Sequence, residues 1–320
     1  MRGRAGWLML MSALATCSNA QDLRKLVTIT TPVHIRSVSV CGFSGLAAGI
    51  GANGSVYVWQ LPSGELVNKR PAEDGITALA CSPDGKWLAV GKRDGSVVLT
   101  DISGKTARTL AVASERINYL KFSPDGSLLA ARVSDAPVQL WNPAQGTLVA
   151  VLKTDFSGTS SMAFSPNSSL FATADSDTSI RIYDRSGKLK ATYSGFLLEP
   201  FAITFIDGKQ IVVGGADCIL TVLDASDAHV VRQLPRQPDP IFVVAGLPDG
   251  RSLWSLHVDA IGLKKYTALL WDLRAGSRRE LPIDGARIVG LGTAAGNKWE
   301  LFTADSDSSL TVWEFVNRSF

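Results

Sequence analysis

The sequence is poor in the residues that build metal centres and redox sites. It contains three histidines and four cysteines among 320 residues. No pair of cysteines has Cys-x-x-Cys spacing, and His34, His229 and His257 have no metal-binding spacing. The nucleophile-elbow pattern Gly-x-Ser-x-Gly is also absent. Local motifs therefore predict no metal site, no cofactor and no catalytic residue, although spacing along the chain does not test a site assembled from distant segments.

The chain also lacks a strong excess of either charge. Its formal net charge is +3, and removal of residues 1–20, which contain Arg2 and Arg4, leaves +1. Such a balance provides no positive field for phosphate groups. The sequence therefore predicts no nucleic-acid partner.

The first twenty residues differ from the rest of the chain. Arg2 and Arg4 precede an apolar run from Ala5 to Ala15, and Ser18-Asn19-Ala20 follows with small residues. This order predicts a secretory signal peptide over 1–20 with cleavage after Ala20, because the run is too short to span a membrane. A buried or membrane-lying N-terminal helix is one alternative. Leu14-Ala15-Thr16-Cys17 also resembles a bacterial lipobox, which would put a lipid anchor at Cys17. We expect an exported protein, periplasmic or secreted.

One phrase recurs along the remaining chain. In "KFSPDGSLLAARVSDAPVQLWNP", residues 121–143, Ser-Pro-Asp-Gly separates two apolar runs, and these residues favour a tight chain reversal. A third run ends in an aromatic residue or its substitute, at Trp59, Thr100, Trp141, Tyr183, Leu223, Trp271 and Trp313. The steps between them are 41, 41, 42, 40, 48 and 42 residues. We infer seven all-β repeats that form a single domain over 21–320.

Three cysteines remain in the mature chain, namely Cys41, Cys81 and Cys218. Cys81 takes the position held by phenylalanine in other repeats, and Cys41 fits the same position with one gap. The pattern favours small buried apolar side chains. A disulfide between Cys41 and Cys81 is the alternative.

The repeats resemble the WD-repeat β-propeller family. The likeness is carried by "VQLWN" at 138–142, "IRIYD" at 180–184 and "LLWDL" at 269–273. Six of the seven repeats also keep a turn residue before that strand, at Asn53, Asp94, Asp135, Asp177, Asp217 and Asp307. The resemblance implies seven four-stranded antiparallel blades around a channel. The family's Gly-His pair is missing from every repeat, so we expect its histidine-centred hydrogen-bond network to be absent.

The ends of the chain predict how such a ring closes. The last repeat supplies three strands, whereas "LRKLVTITT" at 23–31 precedes the first complete repeat and alternates as a strand does. We expect this segment to be the outermost strand of the last blade.

Two local patterns resemble ligand motifs. Gly49-x-Gly51-x-x-Gly54 matches a dinucleotide fingerprint, but "SVYVW" follows it where that motif needs a helix. Asp175-Ser176-Asp177 and Asp305-Ser306-Asp307 look like the start of a calcium loop but lack its glycine and closing glutamate. Tight turns explain both patterns better.

Departures from the repeat indicate where a partner binds. The sixth repeat is longer, and its excess lies in "HVDAIGLKKYT", which contains Lys264, Lys265 and Tyr266. The link after the fourth repeat, "SGFLLEPF", places Phe196, Leu197 and Leu198 in an unusually apolar loop on the same face. Inward folding of this loop over a blade end is the alternative. Further charged residues would surround the patch, namely Arg93, Glu115, Arg116, Asp155 and Arg236.

These features favour a non-catalytic exported scaffold that binds a protein or peptide and is monomeric when alone. A propeller enzyme or small-ligand binder, such as a lactonase-like hydrolase that uses the channel mouth, is the alternative.

Overall fold

Each repeat of the sequence folds into one antiparallel sheet of four strands. The computed structural model describes residues 23–112, 115–134, 136–152, 158–247, 249–259, 266–281, 287–294, 298–304 and 308–315. Within this part of the chain, strands β1 to β28 form seven sheets, and the one helical element is a 3-10 turn at Gly42–Ser44. The all-β, seven-bladed prediction is confirmed. The predicted signal peptide and Cys17 lie outside the described residues.

In blades 1 to 6 the strands follow one another in chain order from the innermost to the outermost, whereas in blade 7 the N-terminal strand β1 is the outermost. Blades 1 to 3 contain β2 to β13: Ile35–Val40, Leu46–Gly51, Val56–Gln60, Leu66–Arg70; Ile76–Cys81, Trp87–Lys92, Ser96–Asp101, Ala107–Val112; Ile117–Phe122, Leu129–Val133, Gln139–Asn142, Thr147–Val151. Blades 4 to 6 contain β14 to β25: Thr159–Phe164, Leu170–Asp175, Ile180–Asp184, Leu189–Tyr193; Pro200–Phe205, Gln210–Gly215, Thr221–Asp224, Val230–Gln233; Ile241–Gly246, Ser252–Val258, Tyr266–Asp272, Ser277–Leu281. Blade 7 contains β26 to β28, Arg287–Ala294, Lys298–Ala304 and Ser309–Phe315, together with β1, Leu23–Thr30.

The N-terminal strand closes the ring, as the sequence predicts. Strand β1 pairs antiparallel with β28, from Leu23 opposite Phe315 to Thr30 opposite Ser309. Ile29 also joins a buried cluster that includes Trp59 of blade 1 and Phe302 of blade 7. Because the two ends of the chain share one blade, the first and last repeats pack against each other like any other neighbours.

The recurring Ser-Pro-Asp-Gly segment forms the turn between the two inner strands. In blade 2, the amide of Gly85 donates to the Ser82 carbonyl at 2.9 Å, and Asp84 Oδ1 accepts the Lys86 amide at 3.1 Å. Gly85 has φ +71°, and a Cβ there would lie 2.3 Å from Ser44 Cβ. Glycine is therefore required both by the backbone conformation and by the neighbouring blade.

The core lies between the blades. Apolar side chains of neighbouring sheets share the buried clusters, as where Ala172 and Ile182 of blade 4 pack with Ile203 and Ile211 of blade 5. One blade alone could not bury both of its faces, so the closed ring is the cooperative unit.

Two cysteines behave differently from our main expectation. Cys41 and Cys81 form a disulfide between blades 1 and 2, with their Cα atoms 4.9 Å apart, so interpreting them as unbonded apolar side chains was wrong. The ends of neighbouring inner strands converge, which brings the two positions within bonding distance. Cys218 is a buried free thiol.

Candidate functional site

The upper face of the disc is defined here as the face where the innermost strand of each blade begins. It carries the links between blades and the turns between the second and third strands. These two sets of loops are bonded to each other: the Arg93 amide donates to Gly75 O at 2.7 Å, Ser134 to Arg116 O at 2.9 Å, and Ala216 to Glu199 O at 3.0 Å. The upper face is therefore a set of loops held in place by backbone hydrogen bonds.

The predicted turn residues accept hydrogen bonds from their own turns. The side-chain oxygens of Asn53, Asp94, Asp177 and Asp217 each accept the amide two residues further on. Hydrogen bonds from Ser96 hold the pKa of Asp94 below its usual value. Short polar side chains stabilise tight turns in this way. Asp135 and Asp307 lie outside the described residues.

The apolar loop between blades 4 and 5 is divided between core and solvent. Phe196 is buried and packs edge-on against Tyr193, with ring centroids 5.1 Å apart. Leu197 is 94% exposed and Leu198 is 48% exposed. One side chain of the loop therefore anchors it, while the next two project from the upper face.

The predicted charged rim is spread around the disc. Arg93 and Arg116 are exposed on blade 2 and at the entry to blade 3, whereas Arg236 is exposed at the entry to blade 6. Burial raises the pKa of Asp217, and the nearby Arg236 charge acts in the opposite direction. Of the three arginines predicted for the rim, Arg236 is therefore the one that lies between blades 5 and 6.

Other predicted residues are described in part. Glu115 is exposed beside Arg116, and Tyr266 is half-buried as the first residue of β24. Its pairing with Val258 shows that the longer sixth repeat extends strands β23 and β24. Lys264, Lys265 and Asp155 lie outside the described residues.

A ring of side chains surrounds the channel mouth at the upper face. In six blades the second residue of the innermost strand interrupts the register with the next strand, as a β-bulge. These residues are Arg36, Thr77, Asn118, Ser160, Phe201 and Phe242. The mouth therefore has a polar arc in blades 1 to 4 and an aromatic arc in blades 5 and 6.

The aromatic arc is a stacked pair. The rings of Phe201 and Phe242 have centroids 4.9 Å apart and planes 17° apart, and Phe242 is 44% exposed. Phe201 follows Leu198 by three residues and Leu197 by four, so their Cα atoms lie within about 11 Å and about 14 Å of the Phe201 Cα. We call Leu197, Leu198, Phe201 and Phe242 the upper patch.

Three side chains of the polar arc donate hydrogen bonds to other groups of the protein. Thr77 Oγ1 donates to Gly91 O at 3.1 Å, Asn118 Nδ2 donates to Ser134 Oγ at 2.7 Å, and Ser160 Oγ donates to Glu199 Oε1 at 2.6 Å. These contacts fix the bulges and the adjoining loops.

Blade 6 contains a buried serine–histidine pair. Trp271 Nε1 donates to Ser255 Oγ at 2.8 Å, and Ser255 Oγ lies 2.8 Å from His257 Nε2. Burial lowers the pKa of His257. Because Ser255 and His257 are both buried, the pair has no access to a substrate and serves the core.

This pair differs from the network that the sequence predicts to be absent. That network is centred on the histidine of a Gly-His pair, whereas His257 comes from the second strand of blade 6. Trp271 pairs with Leu253 across the strands and reaches diagonally to Ser255, whose hydroxyl has His257 as its other partner.

Three lower-face side chains have the composition of a metal site. One ligand atom from each of Asp224, Asp227 and His229 lies within 4.8 Å of the others. Each group already has a partner, however: Asp224 Oδ1 accepts the amide and hydroxyl of Ser226, and His229 Nδ1 lies 2.6 Å from Asp227 Oδ1. The cluster is therefore explained by turn hydrogen bonds.

The aromatic arc was missed by the sequence analysis. Its signal is present in the repeat alignment, because Phe201 and Phe242 occupy a position that is polar in the first four repeats. Their stacking depends on two repeats coming together across a blade boundary, which the alignment alone does not show.

A family comparison agrees with this architecture. The family model for the WD domain, G-beta repeat, matches residues 64–101 and 146–184, which together span β5 to β8 and β13 to β16. These two segments thus match the WD repeat, and the chain folds as a seven-bladed β-propeller. Propellers of this kind commonly act as protein-interaction scaffolds.

Curated relatives are similar over part of the chain. An uncharacterized WD repeat-containing protein, sll1491, from Synechocystis is 29% identical over 38% of this chain and 36% of its own length. WD repeat-containing protein SL1-17 from Schistosoma mansoni is 28% identical over 48% of this chain and 52% of its own. Actin-interacting protein 1-2 from Arabidopsis thaliana is 27% identical over 46% of this chain and 25% of its own length. The alignments thus span about half or less of these relatives.

Proposed function

We propose that this WD-repeat propeller is an exported scaffold that binds a partner protein through the upper patch. The stacked pair of Phe201 and Phe242 carries the proposal, because Phe242 remains 44% exposed at the channel mouth even though it stacks on Phe201. Aromatic side chains of this kind commonly supply most of the binding energy of an interface.

The surroundings of the pair favour a protein surface as the ligand. Leu197 and Leu198 extend the apolar area beyond the channel, and Arg236 supplies charge at its edge. An apolar centre with a charged rim is the usual anatomy of a protein–protein interface. Because the loops are already fixed, binding requires little ordering.

Two features support export. Residues 1–20 have the order of a secretory signal peptide. The Cys41–Cys81 disulfide is a bond typical of oxidising compartments. Strand β1 begins at the lower face, so a lipid anchor at Cys17 would also leave the upper patch open to a partner.

The binding proposal is tested by affinity capture from the envelope fraction of the native host. We expect the variant Leu197→Ser, Leu198→Ser, Phe242→Ser to lose the proteins captured by the wild type. A matched control changes three exposed aliphatic residues on the outer edge of blade 3, Leu148→Ser, Val149→Ser and Val151→Ser.

Comparison of the two variants distinguishes binding at the upper patch from nonspecific binding to exposed apolar surface. The control should keep the captured partners, because it removes similar apolar area at another place. Loss of the same partners from both variants, or from neither, would reject the upper patch as the binding surface.

Export is tested on protein purified from the native host. Intact mass determines whether the chain begins after Ala20 or at a lipidated Cys17. Alkylation under denaturing, non-reducing conditions should modify Cys218 alone, because Cys41 and Cys81 are bonded. A full-length chain with three or more reactive thiols would show that the protein is not exported.

A further inference from the structure

The lower face of the disc carries a groove between blades 2 and 3. Its volume is 890 Å³, which lies within the range of ligand-binding clefts. Leu99 and Phe122 line it together with Trp87, and three prolines, Pro83, Pro124 and Pro143, complete its apolar lining. It is on the face opposite the upper patch, so its role is independent of the proposed function.

Trp87 departs from the repeat. It occupies the position before the second strand that is Leu128 in blade 3 and Leu170 in blade 4. Leu128 is 5% exposed, whereas Trp87 is 36% exposed. The turn around it is the same, because the Trp87 amide bonds to Ser82 Oγ at 2.9 Å just as the Leu128 amide bonds to Ser123 Oγ. The fold thus accommodates leucine here and does not require an exposed indole.

A second departure from the repeat lies at the groove. In blade 4, Arg185 reaches back to blade 3, where its Nη2 lies 2.9 Å from Ser127 Oγ and 3.5 Å from Asp125 Oδ2. The corresponding residue of blade 3 is Pro143, which cannot reach Asp84 in the same manner. Asp84 instead pairs with Lys86 of its own exposed turn, at 3.3 Å. Asp84 therefore has no counterpart of the Arg185 guanidinium, although Arg108 of blade 2 crosses the boundary to carbonyls of blade 3.

Two carboxylates, Asp84 and Asp125, lie on the rim of the groove, each beside an exposed cation, Lys86 or Arg185. Burial tends to raise the pKa of Asp84 and of Asp125, but hydrogen bonds from Ser82 and Ser123 more than offset it, and both pKa values fall below the usual range. Both carboxylates are thus ionised near neutral pH. The cation within the groove, Arg108, donates to the carbonyls of Pro143 and Ala144.

Most of the groove wall is formed by tight turns, and the outermost strand β9 contributes only its first two residues, Ala107 and Arg108. Amides of these turns are already bonded, as where Asp84 Oδ1 accepts the Lys86 amide at 3.1 Å. A bound chain would therefore need a backbone that does not seek pairing. Polyproline II segments have this property, and they dock on aromatic surfaces through proline rings.

We propose that this groove binds an extended proline-containing segment of a partner protein, with a proline ring on Trp87 and an arginine side chain at Asp84. The ligand guanidinium would take the place that Arg185 takes at the next blade boundary. The indole face would add a cation–π contact to the carboxylate pairing.

The proposal is tested with a fluorescently labelled peptide of three Pro-Pro-Arg repeats and the full mature chain. Fluorescence anisotropy should show saturable binding. Trp87→Leu should weaken it by about tenfold or more, as loss of an aromatic anchor does. Asp84→Asn should weaken it as well. Both variants should fold, because leucine and asparagine stand at the matching positions of blade 4, Leu170 and Asn167, and Asn167 Oδ1 makes the same turn contacts.

Two further measurements check the site and its specificity. Pro143→Arg should close the groove and reduce binding, whereas the upper-patch variant Phe242→Ser should leave it unchanged. Peptides of three Pro-Pro-Glu or three Gly-Ser-Arg repeats should bind at least about tenfold more weakly. Equal binding by wild type and Trp87→Leu, equal binding of all three peptides, or no binding at millimolar peptide would overturn the proposal.

Discussion

Blades 4 and 6 have different buried polar side chains at the same position, near the end of the second strand. In blade 4 the second strand ends with buried Asp175, which accepts Arg181 Nη1 at 2.6 Å and Thr159 Oγ1 at 2.8 Å. In blade 6 the matching position is His257, bonded to Ser255. Blades 1, 2, 3 and 5 place Gly51, Lys92, Val133 and Gly215 there, and the matching Asp305 of blade 7 lies outside the described residues.

The difference shows what the repeat tolerates. A charged network and a neutral one both fit, because every group in each has a hydrogen-bond partner. The hydrogen bond of Asp177 and the carboxylate of Asp175 both raise the pKa of Arg181, so its charge is retained. The two blades also differ at the channel mouth, where Ser160 bonds inward and Phe242 faces solvent. Blades with the same strand arrangement thus carry different side chains at matching positions of the core and of the channel mouth.

The largest effect is expected from Arg181→Leu, which introduces the residue that blade 6 has at this place, Leu269. The change leaves Asp175 buried without its counter-ion. The free energy of unfolding should fall by about 3–5 kcal/mol in urea titrations. The double variant Arg181→Leu, Asp175→Val should recover much of this loss, because valine is native in blade 3. If single and double variants were equally stable, the buried ion pair would not be the cause.

A smaller effect is expected when the channel mouth of blade 6 is given the residue of blade 4. Phe242→Ser should weaken partner binding by about tenfold or more, since it removes one ring of a stacked pair. Its unfolding midpoint should change little, because the side chain is half-exposed. Val231→Ser, on the outer edge of blade 5, serves as a control at a similarly exposed residue and should retain binding. Equal binding by Phe242→Ser and wild type would show that the Phe242 ring does not contribute to the interface.

The smallest effect concerns pH. The folded-state pKa of His257 lies below its unfolded value of 6.5, so the unfolded chain takes up a proton that the folded blade does not. Stability should therefore fall as pH decreases below about 6.5, and His257→Gln should make this decline shallower in thermal melts between pH 7 and pH 5.

His229 provides the opposite control for that experiment. Its hydrogen bond to the Asp227 carboxylate raises the pKa of His229, so its contribution is present at low pH and is lost as pH rises. His229→Gln should make the decline toward pH 5 slightly steeper. If both variants behaved like wild type, neither histidine would contribute to the pH dependence.

The ring was predictable because its determinants are local and repeated. The Ser-Pro-Asp-Gly turn, the strand spacing and the spare segment at 23–31 predict the blades and their closure, and β1 lies where that segment predicts. Contacts between repeats were harder to predict from the sequence. The Cys41–Cys81 bond and the Phe201–Phe242 stack each join two blades, and a single-repeat pattern contains no information on which neighbouring side chains meet.

The irregular sites show the same limit. The apolar loop at 196–198 was recognised from composition, but its division into a buried Phe196 and an exposed Leu197 depends on the packing of Phe196 against Tyr193. Likewise, the turn before Trp87 was recognised from the sequence, but the exposure of the indole and its place in a groove with Pro143 of the next blade depend on packing between blades.

Site-specific photocrosslinking tests the proposed interface most directly. A benzoylphenylalanine is placed at position 242 in the aromatic arc, at position 160 in the polar arc or at position 87 on the lower face, and each chain is irradiated in the native host. The account predicts that position 242 crosslinks to the partner lost from the upper-patch variant and that position 160 does not. Crosslinking of that partner from position 160 or 87, with none from position 242, would contradict it.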